Sequence, residues 1–181
     1  MTELTSHCPR PEARTRSVIP VSGAGRADVI ELALADHRRI RRLSQALDDG
    51  ARWAARSGPG WVTAHVWQRL AELLQAHTLA EEEVCFPLAA RSGSPAAHAR
   101  GMAADHRDIR EAIAEAALQA AGSPLWWRAV RAVQADLPFH LAQEERGILA
   151  SLRAQLAPER RLELGRQWTA FVTAWTLDAA R

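Results

Sequence analysis

The sequence predicts an all-α protein, namely an up-down-up-down four-helix bundle with an additional C-terminal helix. Apolar residues recur at helical spacing, the breaks between periodic segments are short, and one helical hairpin pattern occurs twice. Short connections between long amphipathic helices make neighbours antiparallel. We divide the chain into a flexible leader (1–26), a bundle (27–155) with repeat units at about 27–90 and 95–155, and a C-terminal helix (158–181) packed on the bundle.

The first repeat begins after a leader that contains Pro, Gly and scattered Arg without periodicity. From Ala27 onward apolar residues share one helical face until the break at 57–60, which contains two glycines and a proline. The second helix carries Leu70 and Leu73 on its apolar face and has Pro87 near its end.

The second repeat opens with matching start signals. Each of its two helices is preceded by Ser-Pro, at 94–95 and 123–124, and an N-cap serine with proline in the first turn favours a helix start. The fourth helix is predicted to continue to Leu152, with a kink at Pro138. Pro158 starts the fifth helix.

Composition narrows the class of protein. The net charge is +2, and the 23 basic residues, all Arg, are interleaved with acidic ones, which disfavours nucleic acid as a partner. Apolar runs fall short of the ~18 residues that a membrane span needs, so no membrane association is expected. The N-terminus has no apolar signal core, and two cysteines do not make a disulfide framework. A cytoplasmic location is therefore predicted.

The repeated pattern carries the candidate chemistry. Ala-Asp-His-Arg-x-Ile-Arg occurs at 35–41 and 104–110, and His-x-x-x-Glu-Glu follows at 77–82 and 140–145. Positions i and i+4 of a helix lie about 40° apart, so each motif directs an imidazole and a carboxylate to one point. Helix bundles build two-metal sites from such paired ligands on facing helices.

A single His-x-x-x-Glu is commonplace, and a lone His on an apolar face is more often a core residue than a ligand. Two copies, each preceded by the same Ala-Asp-His-Arg-x-Ile-Arg on four successive helices, favour metal binding instead, because a buried carboxylate needs a cation or a matched base. Imidazole with carboxylate suits iron, manganese or zinc. We expect two histidines per metal with two bridging glutamates; the candidate ligands are His37, His77, Glu81, His106, His140 and Glu144.

These residues, with the Phe86-Pro87 that follows the first motif, resemble the hemerythrin-like (HHE cation-binding) domain of bacterial type over about residues 27–155. The resemblance implies a four-helix bundle around a non-heme di-iron centre that holds two iron ions, with zinc or manganese as substitutes. It also implies that the four histidines are terminal ligands and that Glu81 and Glu144 are bridges.

One departure from the oxygen-carrying members bears on function. They have a fifth His four residues after the third-helix His, where this chain has Arg110. Simple reversible oxygen carriage is therefore not expected. We hypothesise a reaction with oxygen, hydrogen peroxide or nitric oxide, which in an enzyme would be peroxide disproportionation or nitric oxide reduction. The alternatives are iron or oxygen binding, storage or sensing without turnover, and an interaction bundle with a vestigial site.

Several other residues could support the centre. Arg41 and Arg110 follow two of the histidines by four residues and could orient a carboxylate, although such arginines more often extend to the surface. Cys85 could be a redox-active neighbour but is more often a small buried hydrophobe. His65 or His98 could supply a fifth nitrogen, although surface positions are the more common outcome.

The C-terminal helix carries an aromatic stripe. Trp168 and Trp175 are seven residues apart and share a face. Packing against the bundle is the ordinary explanation for such a stripe. If part of it were exposed, it would provide a surface for a homodimer, which we keep as an expectation.

Overall fold

The computed structural model describes residues 27–54, 61–91 and 96–178, and these residues form helices, with no β-strand among them. The chain is therefore all-α in its described part, as predicted. The seven α-helices are α1 (Val29–Ala54), α2 (Trp61–Ala80), α3 (Phe86–Arg91), α4 (Ala96–Ala117), α5 (Pro124–Arg146), α6 (Ile148–Gln155) and α7 (Pro158–Asp178). A π-helical segment, Glu81–Cys85, joins α2 to α3.

The helix starts follow the sequence signals where the structure describes them. Ser123 Oγ accepts a hydrogen bond from Trp126 N, and Pro124 opens α5. The side chain of Asp28 accepts a hydrogen bond from Ile30 N in the first turn of α1. These side chains satisfy backbone N–H groups that have no partner within the helix. The leader at 1–26 and the breaks at 57–60 and 94–95 lie outside the described residues.

The regular α-helix is interrupted near the end of each His-x-x-x-Glu-Glu motif. In the first repeat the interruption is the π segment, in which Phe86 N donates to Glu81 O. In the second repeat Gly147 separates α5 from α6, so the prediction of one helix continuing to Leu152 is wrong. Gly147 adopts φ −100° and ψ −92°, outside the helical region. By contrast, α5 runs on through Pro138.

The helices pack mainly within each repeat, α1 against α2 and α4 against α5, with further contacts from α2 to α4 and from α1 to α5. This pattern is compatible with the predicted up-down bundle. Two apolar clusters form the core, and the predicted ligands interrupt them. His37, for example, lies between Ala33 of one cluster and Ile40 of the other. No helix in the described part of the chain is long and apolar enough to cross a membrane.

The C-terminal helix α7 packs on α1 and α2. Gly165 allows a close approach, since a Cβ there would lie 2.0 Å from the carbonyl oxygen of Ala27. Arg161 Nε lies 2.7 Å from a carboxylate oxygen of Asp28, which ties α7 to the start of α1. Trp168 is buried and Trp175 packs partly buried against the same apolar cluster. The aromatic stripe therefore faces the bundle, and a homodimer through this helix stays a prediction.

Candidate metal centre

The six side chains predicted as ligands come together in the core. They approach from α1, α2, the start of the π segment, α4 and α5. None is more than 3% exposed, although all are polar or ionisable. Together they are His37, His77, Glu81, His106, His140 and Glu144.

All four imidazoles direct Nε2 towards the inside of the cluster. His106 Nε2 and His140 Nε2 each lie 3.0 Å from Glu144 Oε1, and His37 Nε2 lies 3.2 Å from Glu144 Oε2. Glu81 Oε2 lies 3.5 Å from the Nε2 atoms of both His77 and His106. The carboxylates thus stand between imidazoles from both repeats, as bridging groups would.

The potential ligand atoms fall into two groups. In each group these atoms lie within 4.8 Å of one another. The first group contains His37, His77, Glu81 and Glu144; the second contains His106, His140 and Glu144. Glu144 belongs to both, so the geometry offers two adjacent cation positions that share one carboxylate.

The outer nitrogen of each imidazole faces a different carboxylate. His37 Nδ1 is 2.9 Å from Glu145 Oε1, and His106 Nδ1 is 3.1 Å from Glu82 Oε1. Histidines that bind metals commonly donate their second N–H to such a carboxylate, which fixes the tautomer and the ring orientation. Because Nδ1 faces an outer carboxylate, Nε2 of the same ring faces the interior of the cluster.

The other two histidines repeat this arrangement at longer distances. His77 Nδ1 lies 3.7 Å from Asp36 Oδ2, and His140 Nδ1 lies 3.5 Å from Asp105 Oδ2. Asp36 and Asp105 occupy the same place in the repeated Ala-Asp-His motif. Every imidazole of the cluster is therefore placed between an inner and an outer carboxylate.

Two arginines hold the closer outer carboxylates. Arg41 Nη1 donates to Glu145 Oε1 at 2.8 Å, and Arg110 Nη1 donates to Glu82 Oε1 at 2.7 Å. Arg110 also donates to Thr78 Oγ1 at 3.3 Å. Hydrogen bonds between charged groups are stronger than neutral ones and restrict the geometry of both partners. The two arginines thus support histidines through an intervening carboxylate.

The two inner carboxylates differ in electrostatics. Burial and the negative charge of Glu144 raise the pKa of Glu81 well above its ordinary value. Burial also acts to raise the pKa of Glu144, but hydrogen bonds from surrounding imidazoles, His106 foremost, outweigh it and hold that pKa well below its ordinary value. Neither oxygen of Glu81 has a hydrogen-bond partner within the described part of the chain. Its carboxylate therefore needs a proton or a cation.

The histidines at the two ends of the cluster also differ. Burial lowers the pKa of His77. Burial acts in the same direction on His140, but hydrogen bonding to Glu144 outweighs it, so the pKa of His140 is raised. The Trp168 ring covers His77, with ring centroids 5.5 Å apart, and Phe86 stacks on His106 at 5.2 Å. Aromatic rings thus limit the motion of imidazoles from both repeats.

Of the remaining sequence candidates, Cys85 and His65 lie outside the cluster. Cys85 is fully buried in the π segment, and burial raises the pKa of its thiol well above the ordinary value. It therefore stays protonated, and a thiol is a poorer ligand and nucleophile than a thiolate. His65 is exposed on α2, so a fifth nitrogen from it does not reach the cluster. The side chain of His98 lies outside the described residues.

The repeated motifs predicted the six core residues but not which histidine each outer carboxylate faces. Glu82 and Glu145 stand next to ligands and bind the histidine of the other repeat, a pairing that helical spacing within one motif does not contain. A signal for Asp36 and Asp105 was present, since each accompanies its histidine in both copies of the motif.

The fold and the site together define an all-helical protein with a buried histidine–carboxylate centre. The chain matches the family model of the hemerythrin HHE cation binding domain over residues 28–152. The protein belongs to this family, whose domain binds metal cations, typically iron. No curated protein and no solved structure matches the chain.

Proposed function

We propose that the protein is a non-heme di-iron protein of the hemerythrin-like type. Glu144, shared by the two groups of ligand atoms, is the observation that carries this proposal. In the four-helix, up-down arrangement that we propose, each pair of histidines would hold one iron, and Glu81 and Glu144 would be ligands shared between the two irons. Zinc or manganese would fit the same donors.

The chemistry of the donors supports a cation at this place. His37 Nε2 and His77 Nε2 lie 3.1 Å apart, and with Nδ1 protonated in both rings their lone pairs would face each other. Glu81 Oε1 and Oε2 and Glu144 Oε2 are buried without hydrogen-bond partners within the described residues. A cation among these atoms removes the repulsion and satisfies the oxygens.

We further propose that the centre reacts with oxygen, hydrogen peroxide or nitric oxide. Iron bound there would supply one-electron Fe(II)/Fe(III) chemistry, as in peroxide disproportionation or nitric oxide reduction. Arg110, which stands where oxygen carriers have a fifth histidine, is engaged by Glu82 and Thr78. With fewer nitrogen ligands from the protein, more coordination positions of a bound iron would be open to exchange. Open coordination positions distinguish reactive metal sites from structural ones.

The chain's own residues set the conditions of this reaction. The outer carboxylates fix which imidazole nitrogen faces inward, and burial of the six side chains keeps bulk water from them. The absence of tyrosine from the sequence removes the phenol as a ligand or radical partner. A cytoplasmic location remains part of the proposal.

The alternative is iron or oxygen binding, storage or sensing without turnover. One experiment separates the two. The protein is loaded with Fe(II) without oxygen, and its iron content and near-ultraviolet spectrum are measured. Excess hydrogen peroxide is then added, or, in a separate sample, excess nitric oxide together with a chemical reductant that supplies the electrons for nitric oxide reduction. Catalytic consumption supports the oxidoreductase, a single stoichiometric change supports the binding protein, and failure to retain iron contradicts both.

A further inference from the structure

The two ends of the metal centre differ in what covers them. His77 is covered by Trp168 of α7. Its counterpart in the second repeat, His140, instead lines a groove of about 450 Å³ formed by residues of α4 and α5. The two repeats thus differ at this point, because His140, unlike the covered His77, borders a surface groove.

The groove is acidic. Three of its lining residues are Asp105, Asp108 and Asp136, and between them lie apolar residues such as Ile109 and Val133. No arginine is among the lining residues, although the chain contains 23 basic residues and has a net charge of +2. A cleft with one sign of charge and apolar walls concentrates counter-ions of the opposite sign.

A buried polar group lies at the inner end of this groove. His140 is 3% exposed, and its Nδ1 has no hydrogen-bond partner within the described part of the chain. This atom lies 3.5 Å from Asp105 Oδ2, while Nε2 of the same ring lies 3.0 Å from Glu144 Oε1. One imidazole therefore connects the acidic groove with the shared carboxylate of the centre.

We propose that this groove is the route by which a divalent metal cation enters the centre. Asp108 and Asp136 attract the cation, Asp105 and His140 receive it, and Glu144 is the first carboxylate of the centre that it meets. A neutral diatomic molecule would gain nothing from three carboxylates, so the groove fits a cation better. The inference rests on the proposed metal site and adds a route to it.

A second groove provides a comparison. It has a volume of about 410 Å³ and reaches Glu145, but Arg153 lines it together with mainly apolar residues. Glu145 is already held by Arg41 and His37. A cation there would meet positive charge first and an engaged carboxylate next. In the groove at His140 no arginine is among the lining residues; Arg107 Nε lies 3.9 Å from Asp108 Oδ1, but both side chains are largely exposed, where such a pair is weak.

The test measures the rate of metal uptake. Metal-free protein is mixed with Co²⁺ in a stopped-flow instrument, and the visible absorption of the bound ion is followed. For a double variant with Asp108→Asn and Asp136→Asn we expect the bimolecular rate to fall about tenfold at low ionic strength, the lower end of electrostatic steering effects. The difference should shrink at ~1 M salt, where charges are screened within about 3 Å. The final cobalt content should equal that of the wild type.

The matched charge control is the double variant with Glu159→Gln and Asp178→Asn, which removes two carboxylates from the exposed surface of α7 outside the groove. Its uptake rate should equal that of the wild type. A steric pair tests the route without charge. Ala132→Trp fills the groove, whereas Ala114→Trp adds the same ring at an exposed position of α4 outside it. Only the first should slow uptake.

The outcomes separate the route from the site. Normal uptake rates in both groove variants, with full cobalt binding, would overturn the route and leave the metal site intact. Equal slowing by the groove variants and their controls would overturn the route as well. No cobalt binding by the wild type would overturn the metal site and the route with it.

Discussion

Glu145 Oε1 lies 2.9 Å from His37 Nδ1, although 108 positions separate the two residues in the sequence. Glu82 and His106 form the equivalent contact at 3.1 Å. Each repeat therefore supplies the carboxylate that orients a histidine of the other repeat. Because of this exchange, neither hairpin alone contains a fully oriented set of ligands, and the centre depends on both halves being packed together.

The exchanged carboxylates should control metal affinity. For Glu145→Ala we expect a loss of about 10- to 100-fold in affinity, the usual effect of removing such a partner. Arg41→Ala should have a smaller effect, because Glu145 keeps its contact with His37. The measurement is competition with a chelator. Glu83→Ala is the control, since Glu83 is exposed. Affinity that is equal in Glu145→Ala and Glu83→Ala would show that the contact does not orient a ligand.

Glu144 and Glu81 should differ in how much metal their loss removes. Glu144 belongs to both groups of ligand atoms and Glu81 to only one. We therefore expect Glu144→Ala to retain less iron than Glu81→Ala after anaerobic loading, and the wild type to hold two ions per chain. Elemental analysis with protein quantitation gives the ratio. One ion in the wild type, or more iron in Glu144→Ala than in Glu81→Ala, would contradict this arrangement.

In the metal-free protein, Glu81 should lower the free energy of unfolding at neutral pH. Its pKa is raised above the ordinary value of 4.5 by burial and by Glu144. The folded state thus retains a proton that the unfolded chain releases, so the contribution of Glu81 to the free energy of unfolding falls as pH rises above about 4.5. Glu81→Gln avoids this loss.

We therefore expect metal-free Glu81→Gln to be more stable than the metal-free wild type at pH 7, with a difference that vanishes near pH 4. Urea unfolding at both pH values measures it. The same variant should gain less stability from added metal, because stabilisation by a ligand depends on its binding to the folded state. A stability difference that does not change with pH, or that grows as pH falls, would rule out this explanation.

The sequence predicted the six core residues because repetition made an otherwise common spacing specific. Regular helical spacing also predicted that His37 and His77 would lie on buried faces. It could not predict which carboxylate meets which outer nitrogen, since those contacts cross between repeats. The contacts of Arg41 and Arg110 could not be predicted from helical spacing for the same reason. They hold Glu145 and Glu82, which only the packed helices bring near.

The two interruptions of the helices were also not predicted from the sequence. The π segment at Glu81–Cys85 contains no proline or glycine itself. The nearest local signal is Pro87, which cannot donate to the carbonyl of Glu83 four residues earlier, but a proline there predicts a helix end or kink and not a π segment. π-Helical segments are often found at functional sites, and this one begins at a predicted ligand. Gly147 could have been read as a break, because glycine is a poor helix former. The apolar pattern on both sides of it favoured a continuous helix instead.

Trp168 should keep the first half of the centre closed, and its removal gives the last prediction. Its ring is 2% exposed and lies against His77, on a helix beyond the residues that match the family model. Trp168→Ala should lower the free energy of unfolding by about 3–5 kcal/mol. It should also release bound metal faster, because the cavity admits water next to His77.

Trp175→Ala, at a partly buried position of the same helix, is the control. The measurement is the rate of metal release into excess chelator, taken for both variants well below their melting temperatures. Equal release rates in the two variants would show that α7 stabilises the fold without protecting the metal.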